Sequence, residues 1–156
     1  MDMIASGAPA PLFQLPSLDG GTYTTKDLLE GGPVVLVFFK ASCPVCQYTL
    51  PFLERMAAGS ALRFAAVSQD NEETTRRFNE RFGVTFPTLI DGPAPRYPVS
   101  DAYGIAMVPS LFVLETDGIV SKSFAGFSKK EIERLGARAG IPPFRPEERV
   151  PEWKAG

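Results

Sequence analysis

At 156 residues, with 44% apolar and 22% charged types, the chain has the length and composition of one globular domain, neither disordered nor membrane-spanning. Sixteen basic and eighteen acidic residues leave a formal net charge of −2, with no basic stripe interleaved with aromatics, so nucleic acid has no footing. Histidine is absent, which excludes Ser-His-Asp triads, Cys-His dyads, His-ligated zinc and His-held haem together, and leaves Cys43 and Cys46 to carry the chemistry.

The opening, Met1 to Gly7, has neither the basic start nor the apolar core of a secretory signal. The longest apolar run, Val34 to Phe39, falls far short of the ~18 residues of a membrane span. The expectation is a cytoplasmic protein, or a periplasmic one if a leader preceded this sequence. Two cysteines in a reducing compartment point to redox or metal work and not to a structural staple.

In chain order, turn formers at residues 8–11, 19–21 and 31–33 bracket Leu12–Leu15 and Thr22–Thr24, which read as a strand or hairpin leading into a helical turn at Lys26–Leu29. Val34–Phe39 is apolar without alternation, as expected of a central strand buried on both faces. Cys43–Ala58 repeats apolar residues at helical spacing, with Ser42 as N-cap, Pro44 in the first turn and Pro51 as a kink. Arg63–Ser68 is a second buried strand. Asn71–Phe82 is a polar helix that keeps Phe78 and Phe82, four apart, for the core.

Phe86–Ile90 is a short strand, followed by a Pro-rich loop and a short helix at Ser100–Tyr103. Ser110–Leu114 and Ile119–Phe124 flank the turn Glu115-Thr116-Asp117-Gly118 as an antiparallel hairpin. Ser128 and Glu131 make a capping-box pattern before a last helix that lines up Ile132, Leu135 and Ala139. Four prolines from Ile141 onward preclude a helix, so residues 141–156 form a Pro-rich tail lying on the surface or loose. This order requires an α/β fold, a mixed central sheet with helices on both faces and an N-terminal β extension, as one domain over residues 1–156.

Cys43 and Cys46 stand where the buried strand passes into the first turn of a helix. Residues i and i+3 share a helix face at about the ~5 to 6 Å Cα separation a disulfide needs, so this pair can close and open without moving the backbone. The helix start favours an anion, and Lys40 adds a positive charge, both stabilising the Cys43 thiolate. A structural disulfide across so short a loop would constrain almost no entropy, zinc would have to be shared across a dimer, and two inert cysteines at chance spacing fit the strand-loop-helix context poorly. The pattern calls for no cofactor.

The segment Val34 to Cys46 resembles the active-site strand and helix of the thioredoxin superfamily, and the resemblance extends over roughly residues 8–140. Ala8-Pro9-Ala10-Pro11-Leu12-Phe13, Phe86-Pro87-Thr88-Leu89 and Val113 to Gly118 are similar to its redoxin branch, which holds both peroxiredoxins and thiol-disulfide reductases. The resemblance implies a thioredoxin-like fold and a thiol-disulfide oxidoreductase. Cys43 would be the exposed nucleophile and Cys46 the resolving thiol. Pro109 would be a cis-proline, with Val108, Pro44 and Val45 beside it at the substrate. The implied partners are a protein or small-molecule disulfide and a thiol reductant, with neither nucleic acid nor membrane.

Three positions depart from the family. The buried acid that thioredoxins place six before the first cysteine is Val37 here, the Glu of related reductases is Thr49, and the usual aromatic before the first cysteine is Ser42. No base for Cys46 is legible. In the alternative, a peroxiredoxin with Cys46 as the peroxide-attacking residue, the supporting Thr and Pro are Cys43 and Phe39, and the activating Arg is replaced by Val108-Pro109. A further alternative is a non-catalytic redox-sensing or binding module.

Overall fold

Val34–Phe39 is buried along its whole length because both faces of the sheet at this strand are covered. Val35, Val37 and Phe39 point into one core with Leu50, Leu53, Phe78 and Ile132. Val34, Leu36 and Phe38 point into another with Leu15, Leu28, Tyr103 and Phe112. The period of two in a strand thus builds two cores from one apolar run.

The computed structural model describes residues 2–59 and 61–156. Its elements are β1 (Gln14–Pro16), β2 (Thr22–Thr24), α1 (Thr25–Leu29), β3 (Val34–Phe39), α2 (Pro44–Ala57), β4 (Arg63–Ser68) and α3 (Glu72–Phe82). They continue with β5 (Thr88–Ile90), α4 (Pro98–Ala102), β6 (Ser110–Leu114), β7 (Val120–Ala125), β8 (Phe127–Ser128), α5 (Lys129–Ala139) and β9 (Trp153–Lys154). Five strands form the main sheet in the order β5-β4-β3-β6-β7, with β4 parallel to β3 and β6 antiparallel to it. This is the expected mixed sheet, and β3 is at its centre.

The β8–β9 pair has no counterpart in the sequence reading, and the other differences lie at element ends. Asn71 caps α3 from outside, its side chain accepting from the Thr74 N–H at 2.8 Å. Phe86 and Pro87 fall outside β5, and the short fourth helix starts two residues before Ser100, on Pro98, whose missing N–H costs nothing in a first turn. Ser128 caps α5, accepting from the Glu131 N–H at 3.3 Å, but the Glu131 carboxylate turns to Lys122 and Arg134 and does not close the box.

The N-terminal stretch spans the sheet. Gly7 donates to the Val120 carbonyl at 2.7 Å and Val120 donates to Ala8 at 2.9 Å, on β7. Further along, Leu18 donates to the Thr88 carbonyl at 3.0 Å and Ser17 bridges to Leu89, on β5.

The chain beyond α5 lies on the surface and is held there. Phe144 stacks edge-on against Phe52, ring centroids 4.9 Å apart, and Arg55 donates to the Pro143 carbonyl at 2.9 Å. The same guanidinium grips both carboxylate oxygens of Glu148, at 2.7 and 2.8 Å. At its far end, β9 pairs antiparallel with β8.

Candidate active site

The carboxyl end of β3 delivers the chain into a short loop, Lys40 to Ser42, and then into α2. The N-cap of α2 is Cys43 and not Ser42: Cys43 has extended backbone, and its Sγ accepts the Cys46 N–H at 3.2 Å. A cysteine sulfur thus takes the place a serine oxygen usually fills. The first-turn amide and the start of the helix both point at this sulfur. Pro44 follows at the first helical position, where it forfeits no bond, and Pro51 lies within the helix.

Cys43 is half-buried and Cys46 fully buried, and both thiols are free. Burial pushes the Cys46 thiol up, and neighbouring Cys43 and the negative charge of Asp70 push it the same way, against a lowering by the Lys40 backbone amide. Two chemically alike residues therefore become different: one sulfur sits on a helix start near solvent, and the other is held protonated in the core.

The Val108–Pro109 peptide is cis, as the sequence reading expects. It stands opposite the cysteines, where the Cys43 thiol donates to the Val108 carbonyl at 3.4 Å. The Gly126 N–H donates to the Pro109 carbonyl at 2.8 Å, which ties the start of β8 to the same loop. Val45 is partly buried against the core, while Pro44 is exposed. The Lys40 side chain is exposed on the wall of a cleft of about 230 Å³ that also involves Gln69, Met107 and Val108. A larger apolar cavity, about 420 Å³ and bounded by Leu28, Val34 and Phe86, lies at the opposite end of β3 from the cysteines.

Asp70 has no place in the sequence reading. It follows β4, and its Oδ2 accepts the Ala41 N–H at 2.7 Å, while Gln47 donates to the Ala41 carbonyl at 2.9 Å. Together they pin the loop before Cys43. The signal for Asp70 is positional: carboxyl ends of adjacent parallel strands, here β3 and β4, border the crevice where α/β proteins bind ligands. Thr49, in the place of a Glu, is buried and turns its hydroxyl to the Val45 carbonyl at 2.7 Å. Among the described residues no group of three or more Cys, Asp or Glu side chains is placed to hold a metal.

A pair of unequal thiols on a helix start, facing a cis-proline across the end of a mixed sheet, defines a thioredoxin-fold oxidoreductase. Residues 6–123 match the AhpC/TSA family, and the chain belongs to that family. It is 31% identical over 135 residues to the thiol-disulfide oxidoreductase ResA of Halalkalibacterium halodurans, covering 83% of this chain and 74% of the relative. Among solved structures, a thioredoxin-family thiol:disulfide interchange protein from Chlorobium tepidum superposes with a TM-score of 0.68 at 22% identity, covering 89% of this chain and 99% of that one. A secreted Mycobacterium tuberculosis disulfide oxidoreductase superposes with a TM-score of 0.65 at 23% identity, covering 82% and 94%. The reaction class is thiol-disulfide exchange, and the peroxiredoxin alternative has less support.

Proposed function

We propose that Cys43 and Cys46 are the redox dithiol and that Cys43 is the attacking sulfur. The observation that carries this reading is the Cys43 sulfur at the N-cap of α2, accepting the Cys46 N–H at 3.2 Å, with the buried second thiol one turn away. The Cys43 thiolate attacks one sulfur of a substrate disulfide. A Cys43–substrate disulfide forms, and the other substrate sulfur leaves as a thiolate that takes up a proton. Cys46 then loses its proton and attacks Cys43 Sγ, closing Cys43–Cys46 and releasing the second substrate thiol. The substrate has gained two electrons, the protein has lost two, and an external dithiol restores it. Val108 and Pro109 form the wall along which the substrate lies, with Pro44 and Val45 on the opposite side, and the Lys40 charge favours the thiolate from the edge.

Peroxide chemistry asks for donors that polarise an O–O bond, and the arginine expected for it is replaced by Val108-Pro109. The cytoplasmic setting suggested by the opening residues gains no support from the relatives; one structural neighbour is a secreted oxidoreductase, which favours the exported alternative. No helix among the described residues is long and apolar enough to cross a membrane.

The test is a trapping pair. Cys46→Ser should attack once and stall as a mixed disulfide with its substrate, while Cys43→Ser should neither attack nor trap. Peroxide turnover that survives Cys43→Ser and disappears in Cys46→Ser would assign the peroxidase reading instead.

A further inference from the structure

The segment following Pro151 lies on the reactive sulfur's own wall. Glu152 accepts the Lys129 N–H at 2.9 Å, and Trp153–Lys154 then pairs with Phe127–Ser128 as an added antiparallel strand. The Lys154 ammonium stands 5.5 Å from the Tyr48 ring centroid, on α2 two residues after Cys46. Beneath this strand, Gly126 has φ +76°, and a Cβ there would meet the Lys154 carbonyl oxygen at 2.5 Å. At Gly156 a Cβ would stand 2.0 Å from the Val108 oxygen and 3.3 Å from Met107 Sδ. The Val108 oxygen is the atom that faces the Cys43 thiol, so the segment reaches the cis-proline loop itself.

The segment has two unequal parts. Residues 143–150 are anchored, through Phe144 on Phe52 and the bidentate Arg55–Glu148 pair. Residues 152–156 are all exposed, with Trp153 at 57%, and are held by backbone bonds, a solvent-exposed Lys129–Glu152 ion pair at 3.8 Å and the Lys154–Tyr48 contact, with little apolar burial. Such a tip opens easily, whereas the anchor keeps it at an effective concentration of about millimolar beside its dock.

We propose that residues 152–156 are an intramolecular occupant of the substrate groove, and that the substrate is an extended polypeptide disulfide which displaces them along β8 to reach Cys43. The inference rests on the dithiol reading above and names its substrate class. The tip shows what the groove takes: a backbone that adds a strand to Phe127–Ser128, a cation over Tyr48, and a residue without bulk at Val108. This is recognition by strand addition, in which main-chain bonds hold the ligand and local pockets select side chains. A small disulfide needs no strand and reaches the half-exposed Cys43 with the tip in place.

The experiment compares the full chain with one ending at Val150, using a short peptide closed by one disulfide and a small aromatic disulfide as substrates. If the tip is docked about nine-tenths of the time, ending the chain at Val150 raises kcat/KM for the peptide about tenfold, by lowering KM. Turnover of the small disulfide changes less than about twofold. Equal effects on both substrates, no effect on either, or a slower peptide reaction would overturn the proposal, the last by making the tip part of the substrate's platform. Inactivity of both forms toward both substrates would instead sink the dithiol reading.

A second measurement needs no truncation. Trp153 is the single tryptophan, so its emission in the full chain reports the tip. Adding the same peptide with serines for its cysteines should shift that emission toward the value in denaturant. Saturating peptide binding with Trp153 emission unmoved would refute displacement.

Discussion

Release of the mixed disulfide should accelerate roughly a hundredfold between about pH 6 and about pH 8, because it waits on ionisation of a buried thiol. Cys46 has no exposed surface, and burial is the largest of the influences raising its thiol. The direct influence of Cys43 vanishes once its sulfur is bonded to substrate, but burial and the charge of Asp70 remain. While a thiol stays below its pKa, its thiolate fraction rises tenfold for each pH unit, so the rate should climb without levelling across this window. The assay mixes reduced protein with a disulfide-closed peptide on a millisecond scale, quenches in acid, and counts the mixed disulfide by mass. Asp70→Asn removes a neighbouring negative charge and should speed release a fewfold at any fixed pH in the window. A plateau reached at or below about pH 7.5 would refute the reasoning, since Cys46 would then ionise more readily than an ordinary surface thiol despite its burial.

The anchor of the tail gives two further expectations. Phe144→Ala removes a half-buried ring from the Phe52–Phe127 cluster and should cost about 1 to 2 kcal/mol in urea unfolding, below the ~3 to 5 of a fully buried ring; a loss under ~0.3 would show that the ring contributes nothing. Glu148, held by Arg55, titrates at about 2 instead of 4.5, so its contribution is present above pH 4.5 and is lost as pH falls through about 2. Trp153 emission should accordingly change across that acid window, and Glu148→Gln should remove the step.

The central strand and the thiol pair were legible because each is local. Six consecutive apolar residues before Lys40 admit one reading in a mixed sheet, and two cysteines three apart need no tertiary partner to be recognised. The cap of α2 was misread because propensity favours the serine at 42, while the geometry of the turn put the following sulfur in reach of the Cys46 amide. Asp70 escaped notice for a different reason. Its partner, Ala41, is distant in the chain, and only the parallel pairing of β3 with β4 brings the two strand ends together. The proline-rich stretch after Ile141 carries neither period, so its course depends on the docking of Phe144 and Glu148, which no local pattern encodes.

The stretch before α1 has a consequence for how molecules meet one another. It engages Val120 on one outer strand and Thr88 and Leu89 on the other, so one ribbon of chain occupies pairing groups on both borders of the five-stranded sheet. Open borders are where separate molecules add strand to strand and clump. Cover for both borders is therefore supplied in part by the first twenty residues. A variant cut after Gly20 would keep both cysteines and the central strand, yet it would present two uncovered templates for self-association.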